Sequence, residues 1–259
     1  MIMQPRRLGW IPQKPDFRDL KFTIAQEHLQ PIKSVFLSDT NKLPLPYNQM
    51  DLGSCTSQGI GFLVHFDLLN KHVANIATPF MPSRLFIYYY ERLEEGTVDQ
   101  DSGAVIRDGI KVLAKNGVCP EDAWPYDISQ FTVAPNSHAI ELAQNFQALQ
   151  YKSLDNTNKQ LLVNALMQGF PIVFGMSVYS SFMSPKVAAT GIVPMPQPHE
   201  SLEGGHCMAI VGYHAGFDAF IVRNSWGMGW GQKGYCRIPA AYLCSTSYAN
   251  DFWIVTLVE

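Results

Sequence analysis

The stretch Gln49-Met-Asp-Leu-Gly-Ser-Cys55-Thr-Ser-Gln-Gly59 determines the fold class, and its Cys55 is the first candidate for a nucleophile. Residues 51–54 are turn formers, and the residues after Cys55 as far as position 69 are apolar enough for a buried helix. The pattern therefore predicts that Cys55 lies in the first turn of a helix. Unpaired N–H groups and the helix dipole there are expected to lower the pKa of the thiol, so that the nucleophilic thiolate forms.

Gln49 lies across the predicted turn from Cys55, and its side-chain amide is expected to point back at the sulfur. An ordinary buried cysteine at the start of a helix fits this stretch equally well, because free cysteines are among the most buried residues. The rest of the chain has to decide between the two interpretations.

The composition indicates a folded protein with a large core. Of the 259 residues, 47% are apolar and 16% are charged, which excludes a disordered chain. The net charge of −3 gives no basic surface for nucleic acid, and no apolar run is long enough to span a bilayer. The N-terminus lacks the hydrophobic segment of a signal peptide. The five cysteines form no CxxC pair, which argues against a zinc site and leaves the disulfide state open.

The order of predicted elements indicates an α+β fold in which helices and strands occupy separate lobes. Apolar periodicity and breaker residues predict helices at 24–29, 59–69, 84–92, 105–116, 138–150 and 158–169. Short apolar or alternating runs predict strands at 171–178, 206–213, 219–223, 234–239 and 251–258.

Two of the predicted strands carry polar residues suited to catalysis. His206 is predicted to be the first residue of its strand, after two glycines that allow another backbone to approach closely. Asn224 follows the next strand, so the return of the chain is expected to bring its side chain to one ring nitrogen of His206. The other nitrogen would then face Cys55, in the arrangement of a nucleophile, a base and an orienting group. Trp226 is expected to cover the pair.

Together these motifs resemble those of the papain-like cysteine peptidases, over about residues 31–259. The order Gln, Cys, His, Asn is typical of that family, and the Asn-Ser-Trp-Gly motif at 224–227 is highly specific. Leu52 and Thr56 stand where the familiar Cys-Gly-Ser-Cys-Trp motif has a cysteine and a tryptophan. In this respect the chain is more similar to bacterial members of the family.

The resemblance implies a two-lobe fold, with a mainly helical lobe, a β-barrel-like lobe and the active-site cleft between them. It also implies a Cys55 thiolate paired with a His206 imidazolium, hydrolysis through an acyl-enzyme, and orientation of His206 by Asn224. Gln49 and the backbone N–H of Cys55 would form the oxyanion hole. Residues expected to border the substrate are Gly53, Ser54, Asp101, Ser102, Gly103, Gly205 and Trp226, although a plain solvated turn explains 101–103 equally well. No cofactor or metal is required.

The domain expected from the resemblance spans 31–259, with a helical lobe at about 46–150 and a β-rich lobe at about 151–259. Residues 1–30, here called the N-terminal arm, form a proline-containing extension. The arm either packs on the surface or lies over the cleft as a propeptide or latch. We expect the protein to be a monomer that is secreted or exported and that acts on polypeptides.

Two functions of other classes remain compatible with the sequence. One is a catalytically silent binding module on the same fold, and the other is an acyltransferase or deamidase that uses the same Cys–His chemistry. The presence of both Cys55 and His206 favours an active enzyme, and Asn224 as the orienting residue favours a peptidase.

Overall fold

In the computed structural model, which describes residues 7–71, 78–146 and 149–257, the first long helix begins at the cysteine that the sequence singles out. This helix, α1 (Cys55–Asn70), is buried along nearly its whole length and circumference. It contacts other helices on one side and strands on the other. A helix that is apolar all round must be buried in this way.

Two further helices of the first half, α2 (Arg84–Glu94) and α3 (Ile106–Asn116), pack beside α1. The short helix α4 (Ser137–Ala143) packs instead against Phe86 of α2. The side chain of Ser83 caps α2 by accepting a hydrogen bond from the Phe86 N–H, and Gly117 ends α3 with a φ of 71°. The second half adds α5 (Lys159–Met167), α6 (Pro185–Thr190) and α7 (Ala240–Leu243).

Seven antiparallel strands form the second lobe. They are β1 (Val35–Phe36), β2 (Leu149–Leu154), β3 (Ile172–Tyr179), β4 (Leu202–His214), β5 (Ala219–Arg223), β6 (Tyr235–Pro239) and β7 (Ala249–Leu257). The order in the sheet is β2-β7-β3-β4-β5-β6, and β1 pairs with β4. Strand β4 therefore lies inside the sheet, where it contacts α1. The α+β class with two lobes is as predicted.

Three local predictions were wrong, the third of them in the N-terminal arm. The helix expected at 138–150 ends at Ala143. Leu149 instead begins β2, and each residue of β2 pairs with a residue of β7. Positions 147 and 148 lie outside the described residues. His206 is not the first residue of its strand, because β4 begins at Leu202 and its two glycines are paired with β3. Position 205 requires glycine because a Cβ there would lie 2.3 Å from the carbonyl oxygen of Trp10, and Gly204 has a φ of 147°.

The described part of the N-terminal arm crosses from one lobe to the other. Its later residues join the sheet, since the N–H of Phe22 donates to the carbonyl of Ser153 at 2.8 Å and Phe22 is buried. In place of the helix predicted at 24–29, Gln26–His28 forms a single 3-10 turn. The division of the chain at residue 30 stays a prediction. None of the helices in the described part of the chain has the length and apolar character that a bilayer crossing requires.

The contact between α2 and α3 leads to a prediction about stability. A Cβ at Gly109 would lie 2.3 Å from Oε1 of Glu91 and 2.6 Å from Cδ1 of Ile60. Overpacking of this kind costs about 1–3 kcal/mol, whereas the better helix propensity of alanine returns about 1 kcal/mol. We expect Gly109→Ala to lower the free energy of unfolding by ~1 kcal/mol or more, measured by urea denaturation.

Gly229→Ala is the matched control, because a Cβ at Gly229 would meet nothing within 4 Å. An equal stability of the two variants would contradict the close packing of α2 on α3.

Candidate active site

Four sequence-predicted residues meet where α1 touches the sheet. Gln49 lies in the loop before α1, Cys55 begins α1, His206 lies in β4, and Asn224 follows β5. All four are buried, with at most 2% of their surface exposed. The N–H of Cys207 donates to the Cys55 sulfur at 3.3 Å, which places the sulfur beside β4 next to His206.

The predicted contact between His206 and Asn224 is present. Nε2 of His206 lies 2.8 Å from Oδ1 of Asn224, which also accepts the N–H of Ser225 at 2.7 Å. Because Oδ1 only accepts, Nε2 carries the proton in this contact. Nδ1 is then the ring nitrogen through which His206 can exchange a proton with Cys55. The indole of Trp226 stacks on the imidazole with centroids 4.7 Å apart, as expected for a cover over the pair.

The pKa of the Cys55 thiol is shifted in the direction opposite to the one that the sequence predicts. Burial raises it to about 12, although the backbone N–H groups of Cys207, Gly9 and Thr56 lower it. The charge of Glu91 also raises this pKa. Complete burial of the sulfur therefore outweighs its position at the N-terminus of α1. The thiolate–imidazolium pair stays a prediction.

The side-chain amide of Gln49 is held in a fixed orientation. Its Oε1 accepts a hydrogen bond from Oγ of Ser225 at 2.6 Å, and its Nε2 donates to the carbonyl of Leu52 at 2.8 Å. Nε2 also donates to the carbonyl oxygen of Arg7 in the arm at 3.2 Å. Hence the Gln49 amide N–H that is predicted to stabilise an oxyanion is already hydrogen-bonded to a peptide carbonyl of the arm.

Sequence reasoning missed two residues that support Gln49. Ser225 fixes the amide, and its place directly after Asn224 in the Asn-Ser-Trp-Gly motif is a signal that it belongs to the site. The hydroxyl of Tyr126 donates to the carbonyl of Gln49 at 2.9 Å and lies 2.5 Å from Oγ of Ser54. Nothing in the sequence around Tyr126 indicates this role.

The backbone of the arm fills the cleft between the lobes. The carbonyl of Gly9 accepts the N–H of Ala104 at 2.8 Å, and the N–H of Ile11 donates to the carbonyl of Ala104 at 3.0 Å. On the other wall, the N–H of Trp10 donates to the carbonyl of Gly205 at 3.0 Å. A Cβ on Gly9 would lie 1.8 Å from the carbonyl oxygen of Gly53. The chain fits only because glycine is present at this crossing.

The residues predicted to border the substrate fall into two groups. Gly53, Gly103 and Gly205 touch the arm in the cleft. Asp101 does both: its carboxylate lies 3.9 Å from Nε of Arg7 in the arm, and it accepts the N–H of Gly53 at 2.9 Å and the hydroxyl of Tyr88 at 2.6 Å. The other three make internal contacts: Ser102 with Thr97, Ser54 with Tyr126, and Trp226 with His206. In this arrangement, Asp101 braces the turn before Cys55.

Within residues 7–71, 78–146 and 149–257, no group of three or more His, Cys, Asp or Glu side chains is arranged to hold a metal ion. All five cysteines are free thiols. Cys207 is buried with its sulfur close to Gly59 of α1, so it is a core residue.

Comparison with known proteins identifies the family. The sequence model of the papain family cysteine proteases matches residues 97–251, which include His206 and Asn224. The chain is 40% identical to an uncharacterised peptidase C1-like protein of Acanthamoeba polyphaga mimivirus, over 96% of this chain and 86% of that protein. It therefore belongs to the papain family of cysteine proteases.

Solved structures agree with this assignment. Xylellain, a cysteine protease from Xylella fastidiosa, is 34% identical with a TM-score of 0.88 and full coverage of both chains. This bacterial relative supports the predicted similarity of the motifs to those of bacterial members. Digestive procathepsin L 3 of Tenebrio molitor shares the fold, with a TM-score of 0.68 and 18% identity over 93% of this chain and 75% of that chain.

The buried thiol leads to a prediction about its reactivity. Because its pKa is raised to about 12 from 9.0, less thiolate is present at any pH below 12 than in an ordinary thiol. We expect iodoacetamide at pH 8 to alkylate Cys55 in the native chain at least about a hundredfold more slowly than in the urea-unfolded chain. Peptide mapping by mass spectrometry measures both rates. A fast, pH-independent reaction of native Cys55 between pH 6 and 9 would contradict the closed arrangement.

Proposed function

We propose that this chain is a cysteine peptidase that hydrolyses peptide bonds through Cys55, His206, Asn224 and Gln49, and that the N-terminal arm holds it latent. One observation carries the proposal: a segment of peptide backbone lies in the cleft, with the carbonyl of Arg7 on the Gln49 amide and Gly9 against the turn before Cys55. A cleft that accepts the arm in this way can accept the backbone of a polypeptide substrate.

The first half of the reaction follows from the positions of the side chains. Departure of the arm returns water to the N-terminus of α1, and the thiol pKa falls because desolvation was its main cause. Cys55 then transfers its proton to His206 and attacks the substrate carbonyl carbon. The Gln49 Nε2–H donates to the developing oxyanion, and such a donor contributes on the order of 10²–10³ in rate.

The second half returns the enzyme to its starting state. The His206 imidazolium donates its proton to the leaving amine, which leaves the acyl group on the Cys55 sulfur. His206 then accepts a proton from water, whose oxygen attacks the thioester and releases the acid and the thiol. Throughout, Asn224 keeps Nε2 as a donor, so that proton transfer runs through Nδ1.

The arm blocks this chemistry by occupying the cleft. Its Arg7 carbonyl accepts the hydrogen bond of the Gln49 amide, and Gly9 packs against the carbonyl of Gly53 in the turn before Cys55. While these contacts persist, a substrate carbonyl cannot reach the Gln49 amide. Latency by occupation of the cleft is the arrangement that these contacts support.

The variant Gly9→Ala tests this proposal in the full chain. Its Cβ would lie 1.8 Å from the carbonyl oxygen of Gly53. Both groups belong to the main chain, so no side-chain rotation relieves the clash. We expect the arm to leave the cleft and the rate of peptide hydrolysis to rise at least about tenfold, measured with a fluorogenic peptide pool. Deleting the whole arm is a poorer test, because Phe22 belongs to the core.

Two controls make the outcome specific. Gly229→Ala should keep the low rate of the parent, and Cys55→Ser in the Gly9→Ala chain should abolish hydrolysis. If Gly9→Ala labels readily at Cys55 but hydrolyses nothing, the binding-module alternative replaces the peptidase. If amine-coupled product replaces free acid, the acyltransferase alternative does. The monomeric state and export from the cell stay predictions.

A further inference from the structure

The turn before α1 carries the two groups that are predicted to donate to an oxyanion. One is the side-chain amide of Gln49, and the other is the backbone N–H of Cys55, which belongs to the same peptide group as the carbonyl of Ser54. The separation of the two donors depends on how residues 49 and 54 are held relative to each other. A side chain from outside the turn, that of Tyr126, contacts both residues.

The directions of the hydrogen bonds at Tyr126 follow from the chemistry of its partners. A carbonyl oxygen only accepts, so the hydroxyl of Tyr126 donates its proton to the carbonyl of Gln49 at 2.9 Å. The hydroxyl of Ser54, 2.5 Å away, then donates to the phenol oxygen. A single oxygen atom therefore bridges the two ends of the turn.

We propose that the Tyr126 hydroxyl is a positioning group for the oxyanion, because its bridge from Gln49 to Ser54 sets the separation of the Gln49 amide and the Cys55 N–H. This inference rests on the proposed function and assigns a further residue to the same site. Tyr126 acts through its two partners and takes no part in making or breaking bonds.

The side chain of Ser54 gives independent support. Ser54 is the N-cap residue of α1, a position at which a serine hydroxyl normally accepts an N–H of the first helical turn and stabilises the helix. Here the side chain makes no such bond, and its hydroxyl lies against Tyr126 instead. A helix cap that is absent in favour of a contact with the oxyanion turn is a local rule broken where function requires it.

A chain of hydrogen bonds leads from α2 to the bridge. Nη1 of Arg84 donates to Oε1 of Gln58 at 3.1 Å, and Nε2 of Gln58 donates to Oγ of Ser54 at 3.3 Å. The chain continues through Tyr126 to the carbonyl of Gln49, and every donor in it points the same way. Hydrogen bonds in such a chain polarise and strengthen one another.

The ring of Tyr126 is fixed together with its hydroxyl. The guanidinium of Arg84 lies 4.2 Å from the ring centroid, and the ring packs against the apolar cluster that contains Leu52 and Leu85. Burial raises the pKa of Tyr126, so the hydroxyl keeps the proton that it donates to Gln49. The bridge is thus rigid and stays a donor while the reaction proceeds.

The first experiment compares hydrolysis with alkylation in the full-length Gly9→Ala chain that also carries Tyr126→Phe. Hydrolysis forms an oxyanion, whereas iodoacetamide reacts at a saturated carbon and releases iodide without forming one. On the best peptide of the fluorogenic pool, we expect kcat to fall at least about tenfold and KM to change less than about twofold. The alkylation rate of Cys55 should also change less than about twofold. An unchanged kcat overturns the inference, and so does an equal loss of kcat and of alkylation rate.

Tyr242→Phe in the same chain is the matched control. The hydroxyl of Tyr242 also donates to a backbone carbonyl, that of Ser177 at 2.7 Å, and its ring is buried in the β-rich lobe. We expect kcat to stay within about twofold of that of the Gly9→Ala chain. A loss as large as the one caused by Tyr126→Phe would be the general cost of removing a buried hydroxyl and would overturn the inference.

Ser54→Ala removes the bridge from its other end. Because the two hydroxyls form one bridge, the double variant Tyr126→Phe, Ser54→Ala should have a kcat within about twofold of the slower single variant. Losses of kcat that multiply in the double variant would contradict a shared bridge.

The second experiment needs no hydrolysis and measures the affinity of N-acetyl dipeptide aldehydes for the Gly9→Ala chain. The Cys55 sulfur adds to the aldehyde carbon, the thiol proton passes to the aldehyde oxygen, and this oxygen takes the place of the oxyanion. We expect Tyr126→Phe to weaken the tightest aldehyde at least about tenfold and the corresponding alcohol less than about twofold. Equal aldehyde affinities of the two chains overturn the inference.

The two experiments separate the inference from the function on which it rests. If the Gly9→Ala chain hydrolyses no peptide, the peptidase is overturned, and an aldehyde affinity that depends on Tyr126 still supports the positioning role. If the chain hydrolyses peptides equally fast with and without Tyr126→Phe, the inference alone is overturned.

Discussion

The contact between the N-terminus of α1 and strand β4 is the constraint on which the rest of the structure depends. There the N–H of Cys207 donates to the Cys55 sulfur, and the sulfur of Cys207 reaches the space beside Gly59 of α1. A helix with no polar face has to be enclosed, so the helical lobe covers one side of α1 and the sheet covers the other. The arm crosses between the two lobes at this same helix end, where it bonds to Ala104 on one side and to Gly205 on the other.

Close approaches of backbone to backbone explain why glycines occur at so many points around the cleft. Gly9, Gly103 and Gly205 each face another main chain at a distance that no Cβ tolerates. A site for extended peptides needs such surfaces, since its affinity comes from main-chain hydrogen bonds. The same surfaces bind the protein's own N-terminal segment.

Much of the architecture could be predicted from local patterns, and the failures have physical causes. The burial of α1, its start at Cys55 and the contact between His206 and Asn224 follow from apolar runs, turn residues and the return of one strand beside the next. The N-terminal boundary of β4 could not be predicted, because Gly204 and Gly205 weaken a strand signal and are stabilised only by contacts with distant residues. The enclosure of the Cys55 sulfur beside β4 and the bracing of the turn by Asp101 also depend on distant segments. Contacts between residues far apart in the sequence leave no local pattern from which they could be predicted.

The pairing of the arm's later residues with the sheet determines how the arm would act under the proposed latency. Leu20 and Phe22 exchange backbone hydrogen bonds with Ser153, so the segment that occupies the cleft is tethered only about ten residues away. A short tether gives an effective concentration on the order of millimolar, and dilution of the protein does not change it. Opening and closing are then a unimolecular equilibrium, and an arm that leaves the cleft returns unless it is captured. Only a cut in the chain between the cleft and Leu20 would make opening permanent.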